Sequence, residues 1–93
     1  PYTIALVSSK QSQHKLVPYV VTESSSMIGK TLADITLPPN TVVNAIVRNE
    51  YLIPPNGQTS IEEGDLLYVL ASMYRHDQLD QKFGEDGLDR VEL

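Results

Sequence analysis

The sequence predicts a small α+β domain on a mainly antiparallel β-sheet, with one short helix after the first core strand and another near the C-terminus. Three observations carry this prediction. Short apolar runs recur at 16–21, 41–48 and 66–71, the first two rich in β-branched residues. Turn-forming Pro, Gly, Asn and Asp residues bound them, and two stretches with helical spacing of apolar residues lie between and after them.

Tyr2, Ile4 and Leu6 alternate with Thr3, Ala5 and Val7, the period of a short strand, and residues 8–14 contain no apolar side chain. Residues 1–15 therefore read as a short strand and linker. Leu16, Val17, Tyr19, Val20 and Val21 form the first core strand, and Pro18 inside it points to an edge or a bulge. Ser24, Ser25 and Ser26 offer N-cap hydroxyls to a short helix over 27–35, whose apolar stripe is Ile28, Leu32 and Ile35. The Leu37-Pro38-Pro39-Asn40 run ends it.

Residues 41–48 (TVVNAIVR) make the strongest strand, with Val43, Ala45 and Val47 on one face and Val42, Asn44, Ile46 and Arg48 on the other. Both faces are largely apolar, so one is expected against the domain's own helix and the other against a partner or a ligand. Asn49-Glu50 turns the chain into Tyr51-Leu52-Ile53, and Pro54-Pro55-Asn56-Gly57 forms the next turn. Glu62-Glu63-Gly64-Asp65 then leads into the buried strand 66–71. Leu79 and Phe83 mark the inner side of a terminal helix over 74–83, stopped by Gly84. Residues 85–93 read as an acidic, mobile tail that adds little to folding.

At 93 residues and 41% hydrophobic, the chain fits one small domain with a modest core, so self-association is expected. It contains no cysteine, which removes disulfides, thiolate zinc sites and cysteine nucleophiles. His14 and His76 stand apart, with too few neighbouring ligands for a metal site, and both are expected at the surface. No apolar run approaches the ~20 residues that span a bilayer, so a soluble domain is expected. An opening at Pro1 rather than at methionine reads as a piece of a longer protein.

The net charge is −5, and its distribution is uneven. Residues 1–48 balance to +2 and residues 77–93 to −4. An acidic chain with no basic stripe has no means of gripping a nucleic-acid backbone. Gly29-Lys30-Thr31 imitates the end of a phosphate-binding loop but lacks the upstream glycine whose place in the loop lets backbone amides wrap the phosphates. Glu62, Glu63 and Asp65 read as a solvated turn, and no nucleophile is paired with a base. The chain is therefore not expected to be an enzyme.

Three separated segments form a more specific pattern: S-x-x-x-G-K-T-L-x-x-I-x-L-P from Ser25 to Pro38, V-x-A-I-x-R-x-x-x-x-I-x-P from Val43 to Pro55, and T-x-I-x-x-G-D-x-L-x-V-L-A from Thr59 to Ala71. In order and spacing they resemble the RCK C-terminal, or TrkA C-terminal, domain, which places that domain at 16–84. Many members carry Asn-Gly at the hairpin where this chain has Asn49-Glu50, so a tight primed turn is less assured. The dinucleotide-binding half that usually precedes the domain is not found in residues 1–15, which favours attachment to an antiporter or another permease.

The resemblance implies a regulatory homodimer on the cytoplasmic side of the cell membrane, joined to the membrane portion of a monovalent cation:proton antiporter or a potassium uptake system. It also implies a small-molecule effector, cyclic di-AMP or another nucleotide. The alternative is a ligand-free structural dimerisation module of another permease or of an anion exchanger. The candidate ligand site is Ile46, Val47, Arg48, Ile53 and Pro54. There the Arg48 guanidinium is suited to two phosphate oxygens beside aliphatic side chains. The competing reading of Arg48 is a strand residue paired with Glu50 or another acid.

Overall fold

The computed structural model describes residues 13–92. The strand expected over residues 2–7 lies outside them. Five strands form one antiparallel sheet: β1 (His14–Val21), β2 (Val42–Arg48), β3 (Tyr51–Ile53), β4 (Leu66–Ser72) and β5 (Leu88–Arg90), in the order β3-β2-β4-β1-β5. One α-helix, α1 (Met73–Glu85), follows β4 directly. The expected α+β class and antiparallel sheet are both observed.

Alternation along β1 and β4 sends Val17, Tyr19, Val21, Leu67, Val69 and Ala71 into one core. His76, Leu79 and Phe83 of α1 are buried with them, and Phe83 meets Tyr19 edge-on at a centroid distance of 4.9 Å. Ser72 caps the helix by accepting a hydrogen bond from the Tyr74 amide.

The helix expected over 27–35 is instead a turn followed by a three-residue 3-10 helix, Leu32–Asp34. The amides of Gly29, Leu32 and Ala33 donate to the carbonyls of Ile61, Thr59 and Gly57, partners distant in sequence. Those bonds replace the i→i−4 ladder, and Gly29 at φ +87° lies outside helical geometry. The apolar stripe still serves its purpose. Leu32, Ile35 and Leu37 pack onto the core, whereas Ile28 is exposed.

The phase of β2 also differs from simple alternation. Val43 pairs with Val69 and Ala45 with Tyr68, leaving Asn44 as a β-bulge. Val43 and Ile46 thus face the core three residues apart, while Val42, Ala45 and Val47 face outward. Ile46, which simple alternation would put on the same face as Val42, is fully buried.

Pro18 is not at a bulge; it lies one residue before the part of β1 that β5 covers, where the strand is locally an edge. Strand β1 lies between β4 and β5, and the Pro18 carbonyl accepts from the Val91 amide beyond the last β1–β5 pair, Tyr19–Arg90. The missing proline N–H therefore falls where that short ladder ends, at little cost.

Residues 85–93 do not all form a mobile tail. Leu88 is buried and pairs with Val21, while Thr22 and Ser26 donate their amides to the Gly87 and Asp86 carbonyls. Gly84 lies inside α1, and Gly87 at φ +78° makes the turn. A Cβ there would sit 2.4 Å from the Ser25 Cα, so only glycine fits.

Two outcomes test this architecture. Ending the chain after Glu85 should lower the melting temperature by on the order of 10 °C or more, because losing a buried leucine side chain alone costs roughly 2–5 kcal/mol. A calorimetric change of only a few degrees would show that β5 does not dock. The β2–β3 turn is tight despite its sequence, with Asn49 at φ +50° and Glu50 at φ +70°. Glu50→Gly should therefore stabilise by about 1 kcal/mol, seen as a melting temperature raised by about 4–8 °C.

Candidate functional site: an open sheet face and an arginine clamp

The side of the sheet away from α1 is apolar. Residues paired across antiparallel strands share a face, and the register lines up three rows. Leu16, Leu70 and Val42 form the first; Pro18, Tyr68 and Ala45 the second; Val20, Leu66, Val47 and Leu52 the third. None of these positions carries a charged side chain; the face turns polar only at its rim, at the His14–Ser72 pair and at Asp89, which stands opposite Val20 on β5. Leu16, Val42 and Leu52 are 45%, 50% and 70% exposed. Val42 also borders a groove of about 260 Å³ lined by Leu32, Leu37 and Pro55. Patches of this kind on a small domain mark interaction surfaces.

Arg48, at the end of β2, lies on the opposite side of the sheet. Its Nε donates to Asp65 Oδ1 and its Nη2 to Asp65 Oδ2, both at 2.8 Å. Nη2 also donates to the Ser60 carbonyl at 2.8 Å, and Nη1 lies 2.8 Å from Glu62 Oε2. Asp65 is fully buried, and its Oδ2 additionally accepts the Glu62 amide at 2.9 Å. Gly64 at φ +85° makes the turn that aims this carboxylate inward. Hydrogen bonding to Asp65 outweighs desolvation and raises the Arg48 pKa above its ordinary value, so the fork stays cationic.

Arg48 is thus paired with acids, though not with Glu50. The β2–β3 hairpin brings together all five residues of the expected ligand site, but it divides them. Ile46 opposes Ile53 on the core side, with Ile46 fully buried and Ile53 half-buried. Val47 belongs to the open face, and Pro54 is exposed just beyond β3.

A second polar cluster escaped sequence reasoning. Tyr19 Oη donates to Asp80 Oδ1 at 2.6 Å, and Arg90 Nη1 donates to Asp80 Oδ2 at 2.9 Å. His76, expected at the surface, is buried; its Nε2 lies 2.7 Å from the Lys15 carbonyl and its Nδ1 3.3 Å from Tyr19 Oη. Burial, then the bond to Asp80, pushes the Tyr19 phenol well above its ordinary range and keeps it protonated. The only local signal was position, since His76 stands three residues before Leu79 on the buried helix face. His14 is exposed, as expected.

A five-stranded antiparallel sheet with one covering helix is the fold of a regulatory-domain class already known from solved structures. A solved structure titled "Structure of RCK domain with cda" shares this fold with a TM-score of 0.63 at 24% identity, covering 72% of this chain and 94% of that one. The chain belongs to the TrkA-C domain family, whose model matches residues 16–84.

Among its relatives, the K(+)/H(+) antiporter NhaP2 of Shewanella oneidensis is 32% identical over 75 residues, 81% of this chain and 13% of the antiporter. A Trk system potassium uptake protein TrkA homolog of Archaeoglobus fulgidus is 30% identical over 81 residues, 87% of this chain and 19% of that protein. The chain therefore spans less than a fifth of either relative's length.

The clamp makes a sharp mutational contrast. Asp65→Ala removes the buried acceptor of Arg48 Nε and of the Glu62 amide, leaving Arg48 only Glu62 and the Ser60 carbonyl, and should cost about 1–3 kcal/mol in denaturant unfolding. Glu62→Gln removes an exposed pair, and the expected change is under about 1 kcal/mol. Equal effects would show that Asp65 is no more structural than Glu62.

Proposed function

We propose that this chain is the regulatory domain of a monovalent cation:proton antiporter or potassium uptake system, lying on the cytoplasmic side of the membrane and acting as a homodimer. The open face carries the reading, because apolar rows spread over four strands, with Asp89 and His14 only at the rim, match what a second copy of the same surface offers. Family membership and the two transporter relatives support the transport context. No helix among the described residues is long and apolar enough to cross a membrane, so the transporter portion would lie outside them.

In this reading the effector is a small phosphate-bearing molecule, with cyclic di-AMP the first candidate, and it meets the hairpin at Arg48 beside Ile53 and Pro54; of the other expected site residues, Ile46 is fully buried and Val47 lies on the open face, so neither touches it. Arg48 lies behind the open face. If the dimer forms face to face through that surface, each protomer reads its own phosphate rather than sharing one across the two-fold axis. The second reading, a ligand-free dimerisation module, is favoured by the fact that Arg48 already holds two carboxylates.

Sedimentation equilibrium tests the dimer. The chain should associate at high micromolar concentration, and Leu16→Asp with Leu52→Asp should yield a folded monomer. A monomeric unmutated chain overturns the homodimer. Calorimetric titration with cyclic di-AMP separates the two readings: heat that disappears in Arg48→Ala supports the sensor, and no heat leaves the structural module.

A further inference from the structure

We propose that Glu62 is an internal competitor on an anion subsite at Arg48, and that a phosphate-bearing effector binds there by displacing the Glu62 carboxylate while Asp65 holds the guanidinium in place. This rests on the preceding reading that Arg48 receives an anion. The two carboxylates on Arg48 are unlike. Asp65 is fully buried and takes Nε and Nη2 in a bidentate grip, so it cannot leave without stranding its charge. The Glu62 side chain is 59% exposed and reaches only Nη1. Exposed pairs of this sort are weak and exchangeable.

The turn is built so that the exchange stays local. The Glu62 amide is bonded to Asp65 Oδ2 and the Asp65 amide to the Glu62 carbonyl, so the backbone is anchored independently of the Glu62 side chain. Rotation about side-chain bonds is enough to free Nη1, while Asp65 keeps the fork aimed. Glu62 also sets which anions succeed. A monocarboxylate offers Nη1 nothing that Glu62 does not already supply locally, whereas a phosphate brings more oxygens and more charge. Glu62 is thus a specificity-determining residue and Asp65 a positioning residue.

Glu63 provides the control, since it is exposed, adjacent, and pairs with no cation among the described residues. The experiment titrates inorganic phosphate into the unmutated chain, Glu62→Gln and Glu63→Gln, following the Arg48 Nε–H and Nη signals by 15N NMR. The Nη signals should move and the Nε–H signal should stay. Affinity should rise about tenfold in Glu62→Gln, as expected for removing one like charge at close range, and less than about twofold in Glu63→Gln. Equal gains in both variants would make the effect one of general charge and overturn the displacement. So would an unchanged affinity in Glu62→Gln, or no phosphate binding to any of the three chains. Cyclic di-AMP titrated into the same three chains reports the sensor reading separately: heat that is equal in the unmutated chain and Glu62→Gln removes this inference alone, and no heat with either anion removes the sensor reading as well.

Discussion

Helix α1 has thirteen residues and is therefore roughly 20 Å long and about 10 Å wide, whereas a five-stranded sheet spreads over roughly 20 Å across its strands. One helix cannot cover even one face of such a sheet. Here α1 packs on β5, β4 and β1, and the β2 side is closed by Met27, Leu32, Ile35, Leu37 and Ile61 from two loops. The loops succeed because they pair with each other through the Thr31–Ser60 bridge and its flanking amides. Among the described residues no helix packs on the other face, and apart from the buried Pro18 its apolar rows stay at least partly exposed to a partner. In the proposed homodimer, the shortage of covering elements is the physical reason for association.

Closing the core with loops rather than helices leaves the hairpin end in need of a tie. The Arg48–Asp65 pair supplies it by joining the end of β2 to the start of β4 at the turn that follows Ile61. A buried pair of this kind adds little net stability over apolar packing, yet it is costly to break on one side. That asymmetry allows one arginine to hold the fold through an inner carboxylate and exchange an outer one.

The opposite end of the sheet is tied in a comparable way. Asp80 on α1 accepts from Tyr19 of β1 and Arg90 of β5, so a three-residue strand with one buried apolar residue is held in place by helix and sheet together. This explains why β5 forms outside the family-matched span of 16–84.

What the sequence determined by itself was whatever periodicity and local chemistry record. The runs at 16–21, 41–48 and 66–71, the Leu79–Phe83 helix face and the turn at Gly64-Asp65 were all legible, because burial leaves its mark on neighbouring residues. The three spaced motifs made the family legible as well. Only the tertiary structure decided the Asn44 bulge, since a strand apolar on both faces does not show where one extra residue slips the phase. It alone chose the 3-10 turn over a helix at Leu32–Asp34, through carbonyls of 57–61, and it alone made a strand of Leu88–Arg90, whose one buried apolar side chain has no local pattern. Arg48 was visible as a candidate, but its carboxylate lies 17 residues along the chain on another strand's turn. In each case the deciding partner is distant in sequence, and a hydrogen bond or ion pair to a distant partner leaves no periodic trace at either end.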